Sequence, residues 1–139
     1  MGENLALNMA DKGWRVSVYN RTVPGIEEGV VERFINGRAQ GKNIEGYTDI
    51  ARFVKSVAVP RKIMMMVRAG SAVDELMEQL FPLLSPGDIL IDGGNSNYED
   101  TNRRNRTVIN RNPPALVRHI QCKILAHHGQ PYQSNVCFI

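Results

Sequence analysis

Two short apolar runs constrain the fold of this chain more than anything else in it. Lys62-Ile-Met-Met-Met-Val67 and Asp88-Ile-Leu-Ile-Asp92 show no polar alternation. A strand with one wet face alternates; a strand buried on both faces does not, and that is the mark of a parallel sheet covered by helices. The residues between the runs fit this reading. Val73, Leu76, Met77 and Leu80 recur on one stripe of a helix over 71–81. Ser85-Pro86-Gly87 then turns the chain back.

The rest of the chain continues the alternation. Residues 3–12 read as a helix with Leu5, Met9 and Lys12 on one face, and Gly13 is placed to end it. Arg15 to Tyr19 has the period of two of a strand. A helix is expected over 26–40, carried by Ile26, Val30, Val31, Phe34 and Ile35 and closed by Gly41. Another is expected over 49–57, carried by Ile50, Phe53, Val54 and Val57 and broken by Pro60, and a last one starts at Tyr98. Helices and buried strands in this order predict an α/β fold, a doubly wound parallel sheet with helices on both faces. Ligands in such folds bind outside the carboxyl ends of the strands. The loops 20–22, 68–70 and 92–96 occupy that position.

Composition narrows the class. The 139 residues suit one domain, and 42% hydrophobic with 22% charged residues is ordinary for a globular protein. No apolar run approaches the ~20 residues that span a bilayer, and the start has neither a basic nor a long apolar region of a secretory signal. Cys122 and Cys137 do not make a disulfide framework. A cytoplasmic protein without membrane partners is expected. Charge is distributed unevenly. All 14 acidic residues lie at or before Asp100, whereas Arg103, Arg104, Arg106, Arg111, Arg118 and Lys123 follow with no acid among them. This break marks a boundary close to residues 102–104, between a unit over 1–104 and a divergent basic tail over 105–139.

The three loops carry the candidate chemistry. Asn20-Arg21-Thr22 follows a strand that, in a Rossmann-like sheet, ends beside the adenosine ribose. An acid there favours NAD, whereas an Arg pairs with the 2′-phosphate of NADP. In Val67-Arg68-Ala69-Gly70 the small residues let a ligand approach the backbone, while Met64, Met65 and Met66 read as core filler. Asp92-Gly93-Gly94-Asn95-Ser96 spends two glycines on one connection, which implies tight space or unusual dihedrals. Asn95 offers a donor and an acceptor to a carboxamide or hydroxyl.

Taken together these loops resemble the 6-phosphogluconate dehydrogenases. The family pattern G-L-x-x-M-G-x-N-L-x-L-N is matched in its second half by Met1-Gly2-Glu3-Asn4-Leu5-Ala6-Leu7-Asn8. Its N-R-T is similar to Asn20-Arg21-Thr22, its V-K-A-G to Val67-Arg68-Ala69-Gly70, and its D-G-G-N-S to Asp92–Ser96. Its Y-x-D-T-x-R-R is similar to Tyr98, Asp100, Thr101, Arg103 and Arg104. The resemblance covers residues 1 to about 104. It implies NADP as cofactor, held by Gly2, Asn20, Arg21, Thr22, Val67, Arg68, Ala69 and Asn95, with Asn95 also touching substrate. It further implies oxidative decarboxylation of 6-phosphogluconate to ribulose 5-phosphate in the pentose phosphate pathway, by an enzyme that is usually a homodimer.

The chain departs from the pattern at both ends. The first strand and most of the glycine turn are missing, so the expected sheet is incomplete, with the strands beside the gap left open-edged. After Arg104 neither the S-G-G-E-E-G-A substrate loop nor the helical domain with the Lys base and Glu acid appears. Catalysis by this chain alone is therefore not expected, no catalytic residue is assigned, and a truncated or frame-shifted gene product is the simplest account. A non-catalytic NADP-binding or regulatory remnant, or a protein that binds through its basic tail, is the alternative. In the tail, Cys122, His127, His128 and Cys137 lack any standard zinc spacing, and the scattered basic residues lack a nucleic-acid motif; neither a metal nor a nucleic acid is expected.

Overall fold

The computed structural model describes residues 2–22, 25, 28–110, 116–118 and 136–138, with side chains through Thr107. Helix α1 (Gly2–Asp11) leads into β1 (Val16–Tyr19), α2 (Val30–Asn36) and β2 (Ile44–Tyr47). Then come α3 (Ile50–Ser56), β3 (Lys62–Met65), α4 (Ser71–Leu80), a 3-10 turn (Phe81–Leu83), β4 (Ile89–Asp92) and α5 (Tyr98–Asn110). Two short strands, β5 (Leu116–Arg118) and β6 (Val136–Phe138), follow. Among the described residues, six strands join one sheet in the order β2-β1-β6-β3-β4-β5, and every pairing is parallel. The doubly wound α/β architecture is the one the apolar runs require.

The sheet is buried on both faces, and the methionine run shows how. Ile63 and Met65 of β3 enter one core with Phe53, Val54 and Val57 of the α3 region and Val73, Leu76, Met77 and Leu80 of α4. Met64 and Met66 point the other way, toward Ala6, Val16, Phe34 and Ile44 under α1 and α2. Consecutive strand residues alternate faces, so a run with no polar member supplies both cores at once.

Several boundaries differ from the sequence reading. Asp49 caps α3 by accepting the Arg52 amide at 2.7 Å, and Gly13, at φ 87°, donates to the Ala10 carbonyl after α1; both ends fall where expected. Helix α2 is shorter than the expected 26–40. Gly29 precedes it in the left-handed region and Gly37 ends it, while Ile26 lies outside the described residues. Strand β2 had no counterpart in the reading. Its four residues include Glu45 and Gly46, which hide the pattern of a half-exposed edge strand. The expected pair of open edges is not present. Val136–Phe138 lies between β1 and β3, facing Val16–Val18 on one side and Lys62–Met64 on the other. Helix α5 also continues past Arg104 to Asn110.

Candidate functional site

The chain crosses β1 to β2 in one direction along the sheet and β3 to β4 to β5 in the other, so the winding reverses at the β1–β6–β3 junction. A crevice opens at the carboxyl ends of strands at such a reversal. In this sheet it has a volume of about 420 Å3 and is lined by Tyr19, Asn20 and Arg21 after β1, Met66, Val67 and Arg68 after β3, and Ala72, Glu75, Leu76 and Gln79 of α4. That volume is within the range of small-molecule sites.

Four of the eight predicted cofactor residues, Asn20, Arg21, Val67 and Arg68, line this crevice together. The Asn20 amide donates to the Tyr47 carbonyl at 3.3 Å and its side chain to the Arg21 carbonyl at 3.2 Å, which fixes the turn that presents Arg21. Thr22 and Ala69 are exposed neighbours of lining residues, and Asn95 is exposed on the loop after β4; none of the three lines the crevice. Gly2 is the first residue of α1, where a Cβ would stand 3.6 Å from Met66 Cβ, so it lies next to the crevice wall. Gly70, at φ 106°, holds a conformation that side-chain-bearing residues rarely adopt, and leads directly into α4.

The glycines after β4 answer to space. A Cβ on Gly93 would lie 2.7 Å from Met66 Sδ and 2.9 Å from Met64 Cγ, and one on Gly94 would lie 3.1 Å from the Val67 carbonyl oxygen. The loops after β3 and β4 therefore touch each other, and the Gly93 amide donates to the Met65 carbonyl at 2.9 Å.

Sequence reasoning missed two parts of the site. One is the α4 wall, where Ala72, Glu75, Leu76 and Gln79 follow the i, i+3, i+4, i+7 spacing of one helix face. That spacing was the available signal. The other is Arg104, which is 3% exposed. It donates to both carboxylate oxygens of Asp74, at 2.9 and 3.2 Å, to the Gly70 carbonyl at 2.9 Å and to Ser96 Oγ at 3.4 Å. The Arg104 bonds to Asp74, with a further one from Arg103 at 2.9 Å, hold the Asp74 carboxyl below the usual carboxylate range against the opposing effect of burial. At the crevice, burial pushes the Tyr19 phenol up and the Asp49 charge adds to it, against the opposing charge of Arg21. Among the described residues no group of three or more His, Cys, Asp or Glu could hold a metal ion, and no helix is long and apolar enough to cross a membrane. Cys122, His127 and His128 lie outside those residues.

A family model described as the NAD binding domain of 6-phosphogluconate dehydrogenase matches residues 1–116. Over 104 residues the chain is 53% identical to the decarboxylating 6-phosphogluconate dehydrogenase of Ceratitis capitata, covering 75% of this chain and 21% of that protein. It is 56% identical over 104 residues to the same enzyme of Treponema pallidum, covering 75% and 20%. A solved Plasmodium falciparum 6-phosphogluconate dehydrogenase, described in its apo form and in complex with its cofactor NADP+ and with its substrate 6-phosphogluconate, matches at a TM-score of 0.71 and 32% identity. That match covers 84% of this chain and 24% of the other. The chain spans about a fifth of the length of these curated relatives. With the matched region running from α1 through all of α5, the chain belongs to the 6-phosphogluconate dehydrogenase family, as its NAD-binding domain.

Proposed function

We propose that this chain is the NADP-binding part of a 6-phosphogluconate dehydrogenase and is not catalytic by itself. The observation that carries the reading is the convergence of Asn20 and Arg21 from β1 with Val67 and Arg68 from β3 in one crevice at the winding reversal. In this reading Asn20, Arg21 and Thr22 hold the 2′-phosphate of the adenosine, where the planar Arg21 guanidinium can offer two parallel hydrogen bonds. Val67, Arg68 and Ala69 line the path of the dinucleotide, and Gly2 lies at the amino end of α1, where backbone amides favour the pyrophosphate. Asn95 meets the nicotinamide and, in the whole protein, the substrate. The recognition residues of this reading all fall within 1–104, and Leu116–Arg118 and Val136–Phe138 beyond them add strands to the sheet.

The whole protein, in this proposal, oxidises and decarboxylates 6-phosphogluconate to ribulose 5-phosphate in the pentose phosphate pathway, as a cytoplasmic homodimer. No metal, membrane or nucleic acid takes part. The family's Lys base and Glu acid have no match within residues 1–139, so hydride transfer needs groups beyond this chain.

Titration of the purified chain with NADP and NAD tests the assignment. NADP should bind about tenfold or more tightly, the value of one to two charge-assisted hydrogen bonds. Arg21→Ala should erase the difference by weakening NADP alone. Equal affinity for the two nucleotides in the unaltered chain would exclude Arg21 from recognition of the 2′-phosphate.

A further inference from the structure

The loops at the carboxyl edge of the sheet follow the strand order: 20–22 after β1, 67–70 after β3, 93–96 after β4. A dinucleotide whose 2′-phosphate sits at the first of these extends toward the third. The positions of the second and third loops are tied together by one side chain. Arg104, on α5, reaches the Gly70 carbonyl at the end of the second loop and Ser96 Oγ at the end of the third. Its remaining donors grip Asp74 in the first turn of α4. A fourth group faces it: Asp92 Oδ2, 3.5 Å from Arg104 Nη1, belongs to a side chain 4% exposed, and among the described residues that oxygen accepts no hydrogen bond. Its other oxygen, Oδ1, accepts the Gly94 amide inside the third loop.

A buried guanidinium shared among two carboxylates, a carbonyl and a hydroxyl has few ways to move. The fork of donors is planar and fixed, so each bond constrains the others. Removing one partner from such a network is costly, since it leaves a buried charge or acceptor unmet. A surface-packing role would need only the aliphatic stem of this residue. The bonds of Arg104 go instead to the Gly70 carbonyl of the loop that borders the crevice, to Ser96 of the 92–96 loop packed against it, and to Asp74 of α4.

We infer that Arg104 is a positioning residue of the nucleotide site: it sets the 92–96 loop against the 67–70 loop and so governs how the chain receives the nicotinamide half of NADP, while leaving the adenosine half to the 20–22 loop. This rests on the proposed NADP function for its ligand, and on the network alone for its geometry. Arg104 itself need touch no part of the nucleotide.

The experiment compares the unaltered chain with Arg104→Gln and Ser96→Ala, using NADP and 2′,5′-ADP as probes. The smaller probe carries the 2′-phosphate and lacks the nicotinamide half. Arg104→Gln should weaken NADP roughly tenfold, as for the loss of one to two hydrogen bonds, and leave 2′,5′-ADP within about twofold. Ser96→Ala, which removes only the link to the third loop, should show the same pattern with a smaller loss, and it keeps the test open if Arg104→Gln does not fold. A purely structural role would weaken both probes alike, and that result, or no change in either, overturns the inference. Amide hydrogen exchange on the same proteins separates it from the ligand assignment. Exchange in Arg104→Gln, or in Ser96→Ala if the first variant is unfolded, should accelerate at residues 93–97 and 70–71 and not in β1. If the unaltered chain binds neither probe, the NADP reading fails while this exchange pattern still decides the role of Arg104; uniform or absent acceleration rejects it.

Discussion

Arg61 and Asp88 join the amino ends of β3 and β4 through two contacts of the same length. The Arg61 amide donates to Asp88 Oδ1 at 2.7 Å, and Arg61 Nη1 donates to Asp88 Oδ2 at 2.7 Å. The Ser85 amide adds a third bond at 2.8 Å, and Asp88 is fully buried. Asp88→Asn keeps the shape and removes the charge, leaving the guanidinium without its buried partner. Breaking such a pair costs about 3 kcal/mol. The loss should appear as a lower urea midpoint. A midpoint within experimental error of the unaltered chain would mean that water or another acid replaces the carboxylate.

The same carboxyl predicts a pH response. Burial alone would raise the Asp88 pKa, but the Ser85 and Arg61 amides and the Arg61 guanidinium outweigh it, and the net shift is downward. A depressed folded pKa contributes stability that is complete above the unfolded value of about 3.9. It is lost as pH falls from there through the lower folded value. Urea midpoints measured between pH 6 and pH 3 should therefore hold and then drop, and Asp88→Asn should flatten the acid limb. Equal acid limbs in the two proteins would assign the transition to other carboxyls, Asp74 first among them, since Arg104 lowers it in the same sense.

Gly93 and Gly46 should tolerate a methyl group differently. At Gly93 the added Cβ meets the thioethers of Met66 and Met64, which are unbranched and can turn aside. At Gly46 it meets Val31 Cγ1 and, at 2.7 Å, Ile35 Cγ1, side chains that are stiff at χ1. Gly93→Ala is expected to cost about 1 kcal/mol and Gly46→Ala about 3 kcal/mol, the two ends of the overpacking range. Met66→Ala should relieve Gly93→Ala in a double-mutant cycle. Additive effects at these two sites would mean that the β4 loop moves instead.

How much of the fold and the site is legible in the sequence depends on what decides each residue's state. The stretches 63–67 and 89–91 announce themselves because burial on both faces favours apolar residues at every position. Asn20, Arg21, Val67 and Arg68 are legible because they follow strand ends in order, and the fold brings strand ends to one edge. Strand β2 is hidden because an edge strand with Glu45, paired to Arg15 across the surface at 2.6 Å, needs only one apolar face. Arg104 is hidden because Asn102-Arg103-Arg104-Asn105-Arg106 reads as a solvated helix surface. Nothing local distinguishes Arg104 from Arg103, which is more than half exposed; only the approach of Asp74, Gly70 and Asp92 from distant segments buries it. Val136–Phe138 is hidden for a related reason. Three residues carry no period, and the slot between β1 and β3 determines what they become.

That slot gives the last prediction. Cys137 stands opposite Ser17 of β1 and Ile63 of β3, so its backbone belongs to a strand with partners on both sides. Proline there removes a donor that a central strand cannot spare. Leaving the partner carbonyl unmet costs about 2 kcal/mol, and the two halves of the sheet, β2-β1 and β3-β4-β5, lose the strand that joins them. Cys137→Pro should therefore lower the thermal midpoint and release amide protection at residues 16–18 and 62–64 together, while Cys137→Val, which keeps the amide, should not. The crevice lies between the ends of β1 and β3, so NADP affinity should fall with the same variant, and saturating NADP should recover part of the lost stability by mass action. Retention of protection on both flanks in Cys137→Pro would show that some other segment fills the gap and that the crevice does not depend on residues 136–138.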